Sequence, residues 1–279
     1  MPSRMGVLVV HGMGVQKEDF ADGFIAEMRK RLAKLVVADD AVAWRAAWWA
    51  DAVKDREDEL WDALSRDHDL DYRRIRRFII SHFGDALAYQ RVPTQGSDFY
   101  RVIHAKLRGH LAALRVAMGG DRPIVVLAHS LGGAIVSNYT WDEQKAPTPD
   151  ATPTERMQTL AGIVTFGCNI PLFTLALDRI VAIRFPAPEL PPQVAARSRW
   201  LNFFDSDDVL AYPLRPLSDS YASAVSADVE IRVGGFTTGW SPLSHGEYWT
   251  DDDFTKPVAA LIRDIAHAAS DPVHDSALA

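Results

Sequence analysis

One cysteine, Cys168, is all the thiol in 279 residues, so no internal disulfide can form and nothing ties this chain to an oxidising compartment. Positive charge is also short: 30 Lys and Arg against 37 Asp and Glu leave a formal charge of −7, which argues against a nucleic-acid surface, since phosphate binding draws on concentrated cations. No apolar run approaches the roughly twenty residues that a bilayer span needs. The N-terminal apolar stretch is too brief for a signal segment and enters a Gly-rich turn without a cleavage pattern, so the expected location is cytoplasmic. No internal repeat is visible, and His68, set among Asp67, Asp69 and Asp71, has no second histidine at ligand spacing, so no metal is assigned.

What is present is an ordinary globular composition, 48% hydrophobic and 24% charged, long enough to bury one large α/β core. The stretch from Ile124 to Val136, IVVLAHSLGGAIV, reads as a buried strand, a sharp turn and a helix, with Ser130 at the apex. A serine presented there must adopt a strained positive φ, and the residues two before and two after approach it closely. Only small side chains fit, and Ala128 and Gly132 occupy those positions.

Around this stretch the chain alternates strand and helix signals. Gly6 to Val10 is a short apolar run followed by His11-Gly12-Met13-Gly14; helical spacing of Phe20, Phe24, Met28, Leu32 and Leu35 follows, then an apolar, aromatic strand from Val42 to Ala50. This βαβ opening implies a parallel sheet. Residues 51–90 are charged and helical and read as an inserted helical segment, a candidate cap; its Arg73, Arg74, Arg76 and Arg77 are read as a solvated helix face. A helical stripe on Ile103, Leu107, Leu111, Leu114 and Met118 leads to the Ser130 strand. Further strands are expected at Leu160 to Phe166, Trp200 to Phe204 and Val229 to Val233, with a closing helix on Val258, Leu261, Ile262 and Ile265. The expectation is an α/β protein, a mostly parallel central sheet with helices on both faces. It forms a single domain over residues 1–269 with a polar, disordered tail at 270–279. The proline-rich stretch at 186–192 is a candidate lid or pocket rim.

A nucleophilic serine needs a base, and the base needs an orienting acid. Of nine histidines, His11 belongs to the Gly-rich loop, His68, His82, His104 and His110 fall on expected helices, His129 is read as pointing away from the turn, and His267 and His274 lie in the last helix and the tail. His245, on a loop after the last strand, remains as the base. Cys168 is read as a small apolar residue at a strand end rather than a second nucleophile. Acids at the carboxyl end of the Trp200–Phe204 strand supply the partner: Asp205 is read as part of the strand edge, leaving Asp207 or Asp208. The backbone N–H of Met13, in the Gly-rich loop, and that of Leu131, directly after Ser130, are the expected oxyanion donors. Phe236, Trp240, Tyr248 and Trp249, around the His245 loop, are candidates to line an apolar pocket or, equally, to pack in the core.

The order Ser130, acid, His245, with an HG-x-G loop after an early strand, resembles the α/β-hydrolase superfamily, its lipase and esterase branches above all. The specific matches are HGMG, AHSLGG, the DSDDV segment and the SHGEYW loop, and Ala128 replaces the usual first glycine, as in some bacterial lipases of the superfamily. Lipase-like members often place an aspartate two residues before a valine with a proline shortly after, and Asp207, Val209 and Pro213 match, so the resemblance favours Asp207, with Asp208 the alternative acid. It implies the α/β-hydrolase fold and a serine hydrolase acting on a small-molecule or lipid ester through an acyl-enzyme, with no cofactor. Thioesterase, amidase and acyltransferase chemistry use the same triad, and a binding protein that merely retains the fold is the rival from another class.

Overall fold

A computed structural model describes residues 3–13, 16–66, 84, 89, 99–175, 177–234 and 244–270. Six strands form one parallel sheet in the order β2-β1-β3-β4-β5-β6. These are β1 (Met5–Val10), β2 (Val42–Ala47), β3 (Ile124–His129), β4 (Leu160–Phe166), β5 (Arg199–Phe204) and β6 (Ala227–Glu230). β1, β3 and β4 are buried at every position, as continuous apolar runs require when both faces of a parallel sheet are covered.

The helices are α1 (Asp22–Lys34), α2 (Asp51–Ser65), α3 (Phe99–Met118), α4 (Leu131–Lys145), the short α5 (Ile170–Thr174), α6 (Pro192–Ala195) and α7 (Asp219–Ala224), and the C-terminal α8 (Asp252–Ala268). α1 packs against α8 on one face, buries Phe24, Met28 and Leu32, and is tied to it by Arg31 and Asp252 at 2.5 Å. α3 and α4 lie on the other face, and the expected α3 stripe from Ile103 to Met118 is buried. Gly6 sets how closely α3 approaches, because a Cβ there would stand 2.6 Å from the Met118 sulfur.

The order of strands fixes where a site can form. From β1 the chain turns outward to β2, and from β3 it turns the other way to β4, so the loops leaving the carboxyl ends of β1 and β3 diverge. A crevice opens at such a reversal, and α/β proteins hold ligands there. His11-Gly12-Met13 and Ser130 are the residues on its two sides.

Several boundaries differ from the sequence reading for local reasons. β2 stops at Ala47, because the Trp48 carbonyl bonds the His110 ring and the Trp49 N–H turns to His11 Nε2. β6 begins two residues early and ends at Glu230; beyond it, the Val233 N–H goes to the Asp205 carboxylate and not to a strand. Of the expected helical segment at 51–90, Asp51–Ser65 is α-helix; the rest, except residues 66, 84 and 89, lies outside the described residues, as does the tail from 271. The proline-rich stretch at 186–192 is not placed over the crevice: Ala187 N–H donates to the carbonyl of Leu160, the first residue of β4, at the opposite, amino end of the strands. Ala187 and Leu190 are buried there, so the stretch seals the amino end of the core. No helix of the described residues is long and apolar enough to cross a membrane.

Candidate functional site

Ser130 joins β3 to α4 at φ 52°, ψ −124°, a region that L-residues avoid and that costs about 1–3 kcal/mol unless the surroundings impose it. Here they do. The Ser130 N–H donates to Phe166 O at 2.9 Å and its carbonyl accepts from Gly133 N–H at 3.0 Å. Gly132 lies so close to β1 that a Cβ would stand 2.7 Å from His11 O, and a Cβ on Gly12 would stand 2.5 Å from that of Ser130. The small residue at 132 is therefore a packing requirement, as the sequence implied, and Gly12 across from it is another. Leu131, the first residue of α4, carries one of the N–H groups that no helix can satisfy internally.

The loop after β1 is held by His11. Trp49 stacks on its ring at 4.7 Å, donates its backbone N–H to Nε2 at 3.0 Å and its indole N–H to His11 O at 3.1 Å. Because Nε2 accepts, Nδ1 carries the proton and donates to Gly12 O at 2.7 Å. Burial drives the His11 pKa down to about 4, so this tautomer is fixed at neutral pH. In a trans peptide the C=O and N–H point in opposite directions, so pinning the Gly12 carbonyl to the His11 ring turns the Met13 N–H away from it.

His245 lies in a 3₁₀ turn, Ser244–Thr250, beyond β6. Its Nδ1 is 2.8 Å from Asp208 Oδ2, and both residues are buried. The carboxylate on His245 is thus that of Asp208, not Asp207. Asp207 is exposed and gives only its backbone N–H, to Asp205 Oδ1 at 2.8 Å. The turn that follows β5, with Asp208 N–H on Asp205 O at 3.1 Å, rotates Asp208 inward and leaves Asp207 on the outside. Burial alone would raise the Asp208 carboxyl. The hydrogen bond and charge of His245, the Leu210 N–H and the Tyr248 hydroxyl outweigh it and hold the group below its ordinary value.

Ser130 and His245 meet on common neighbours. Gly167, one residue past the carbonyl that accepts from Ser130 N–H, is so near the imidazole that a Cβ would stand 3.0 Å from His245 Cε1. His129, expected to point away, instead donates Nε2–H to His245 O at 2.8 Å, their rings 4.8 Å apart. Nε2 is the proton-bearing nitrogen because a carbonyl can only accept. Burial pushes the His129 pKa to about 3, so it is a neutral strut. Ser130 Oγ and His245 Nε2 are both buried and have no hydrogen-bond partner among the described residues, which leaves a donor and an acceptor free at the crevice.

The remaining candidates are settled by packing. Cys168 is fully buried, its thiol pushed up to about 12 by desolvation, with its sulfur 2.8 Å from where a Gly133 Cβ would sit; it fills space. His104 bonds Tyr89 and His110 bonds Trp48 O, both on α3. His267 is on α8, while His68, His82 and His274 lie outside the described residues, as do Phe236 and Trp240. Tyr248 and Trp249 are not a free pocket wall: Trp249 packs edge-on against Phe24 and Phe166, and Tyr248 is fully buried with its hydroxyl 3.0 Å from Asp208 Oδ2. The bond from Tyr248 to Asp208 is what sequence reasoning missed; the spacing of three from His245 was the available signal. Among the described residues no group of three or more His, Cys, Asp or Glu side chains could hold a metal ion. No family model matches this chain, and no curated protein matches it as a relative.

Proposed function

We propose that this chain is a serine hydrolase of the α/β-hydrolase type that cleaves carboxylic esters, with Ser130 as nucleophile, His245 as general base and Asp208 as the orienting acid. The observation that carries the reading is the strained, buried Ser130 between two diverging loops, its hydroxyl unpartnered, together with an imidazole on the adjoining Gly167 that is held by a buried carboxylate and equally unpartnered at Nε2. A buried polar atom left open costs about 1–3 kcal/mol, which a substrate that joins the pair would recover.

The chemistry follows from these positions. Ser130 Oγ attacks the ester carbonyl carbon as His245 Nε2 takes the hydroxyl proton, and Asp208 stabilises the imidazolium across Nδ1. The negative charge on the carbonyl oxygen is met by the Met13 and Leu131 N–H groups, the former aimed by His11 and the latter by the start of α4. Collapse of the adduct expels the alkoxide, which leaves as the alcohol with the proton from His245. Water then attacks the acyl-Ser130, giving its proton to the same nitrogen, and the acid departs as Oγ is re-protonated. Neither step requires a cofactor.

Labelling by a fluorophosphonate probe tests this directly. The wild-type protein should label and lose labelling in Ser130→Ala at unchanged Tm; labelling that survives the substitution, or no labelling of the folded wild type, refutes the assignment. A series of p-nitrophenyl esters of rising chain length then reads the acyl preference.

A further inference from the structure

The 3₁₀ turn that carries His245 also carries Tyr248, three residues on, and residues at that spacing in a 3₁₀ helix stack on one face. Both side chains reach the same atom: Asp208 Oδ2 accepts from His245 Nδ1 at 2.8 Å and from the Tyr248 hydroxyl at 3.0 Å. The Tyr248 oxygen in turn accepts the Asp205 N–H at 3.0 Å, which fixes the direction of its hydroxyl proton toward Asp208. Tyr248 is fully buried. Desolvation and the Asp208 charge push its phenol far above the ordinary value, so it stays a donor at any working pH.

We propose that Tyr248 is a positioning residue for the acid of the triad. It holds Asp208 Oδ2 in line with His245 Nδ1 and shares that oxygen's charge, thereby setting how strongly the carboxylate stabilises the imidazolium. This rests on the hydrolase reading. Among the described residues the charged and titratable groups facing the pair are Asp208 and Asp205 from the turn after β5, His129 at the end of β3, and His11 behind it. Both histidines are neutral, and the Asp205 carboxylate is engaged elsewhere, by the N–H groups of Asp207 and Val233.

Removing the hydroxyl returns the charge on Oδ2 to His245 alone. In Tyr248→Phe the acid limb of the kcat/KM profile should therefore move to higher pH, because the imidazolium is better stabilised. The Nδ1 proton resonance of His245 should move downfield, and kcat should fall about 10-fold with KM unchanged as the carboxylate loses its alignment. Asp205→Glu serves as the structural control: it keeps the charge but disturbs the bonds that the carboxylate accepts from Asp207 and Val233 N–H, and should lower Tm without moving the limb or the resonance. If Tyr248→Phe does not fold, 3-fluorotyrosine at position 248, a stronger donor of the same shape, should move both readouts in the opposite sense. Loss of Tm in Tyr248→Phe with the limb and resonance unmoved, or an unmoved fluorotyrosine protein, overturns the proposal. The resonance needs no turnover, so it decides the role of Tyr248 even if Ser130 fails to label.

Discussion

Asp207 and Asp208 are adjacent and chemically identical, yet one is exposed and the other is clamped between an imidazole and a phenol. The expected outcome of Asp208→Asn is a fall in kcat of roughly 10⁴-fold, the size seen when a triad acid no longer holds the right tautomer, whereas Asp207→Asn stays within a few-fold of wild type. Steady-state kinetics of the two variants on one ester checks this. The sequence narrowed the acid to this pair but could not rank them physically, because what separates them is the phase of a single turn, Asp205 to Asp208, set by hydrogen bonds of that turn. The resemblance that favoured Asp207 matched a spacing to Val209, a residue that is two-thirds exposed and holds nothing in the site. His129 was misread for a related reason: in a strand buried on both faces, alternation gives no inside or outside, and its partner carbonyl lies 116 residues away.

At the scale of elements, the loop between β1 and α1 is a backbone device, and its tolerance to change should be poor. Gly12→Ala would drive a Cβ to 2.5 Å from that of Ser130, so either the loop or the strained turn must shift. The expected result is a loss of kcat of about 10²-fold or more, the usual cost of a misplaced oxyanion donor, with a modest drop in Tm. Trp49→Phe keeps the stacking and the backbone donor but deletes the indole bond to His11 O, and should cost less, about 10-fold in kcat. Comparing the two variants on one substrate checks that loop geometry, more than bulk, is what matters. The strands themselves were legible because a parallel sheet covered on both sides needs unbroken apolar runs, and those runs stand out in any sequence. Their ends were not, since β2 and the chain beyond β6 end where side chains of remote residues, His11 and Asp205, capture the backbone N–H groups.

For the whole molecule, the buried imidazoles make folding sensitive to acid. His11 and His129 bind protons only near pH 4 and pH 3 when folded, against an ordinary value of 6.5 in the unfolded chain. Between those limits the unfolded state carries more protons, so stability falls as pH drops below about 6.5 and continues to fall to about 4. For His11 alone the full loss is about 3 kcal/mol. Asp208 works in the same direction. Its carboxyl lies below the ordinary value in the fold, so its contribution is complete above the ordinary carboxylate range and is lost as pH falls through the folded value. Thermal melts from pH 7 to pH 4.5 should show a steadily falling Tm, with His129→Gln flattening the slope by about one proton; a Tm independent of pH over this range contradicts the buried neutral state.

The turn after β5 and the turn after β6 each offer residues three apart, Asp205 with Asp208 and His245 with Tyr248, and the two pairs mesh like the teeth of two short combs. One residue inserted in either comb would break the bonds from His245 and Tyr248 to Asp208 together. D-x-x-D following one strand and H-x-x-Y following the next is therefore a pattern that can be sought in other chains. Where it occurs, it should mark a carboxylate held jointly by an imidazole and a phenol.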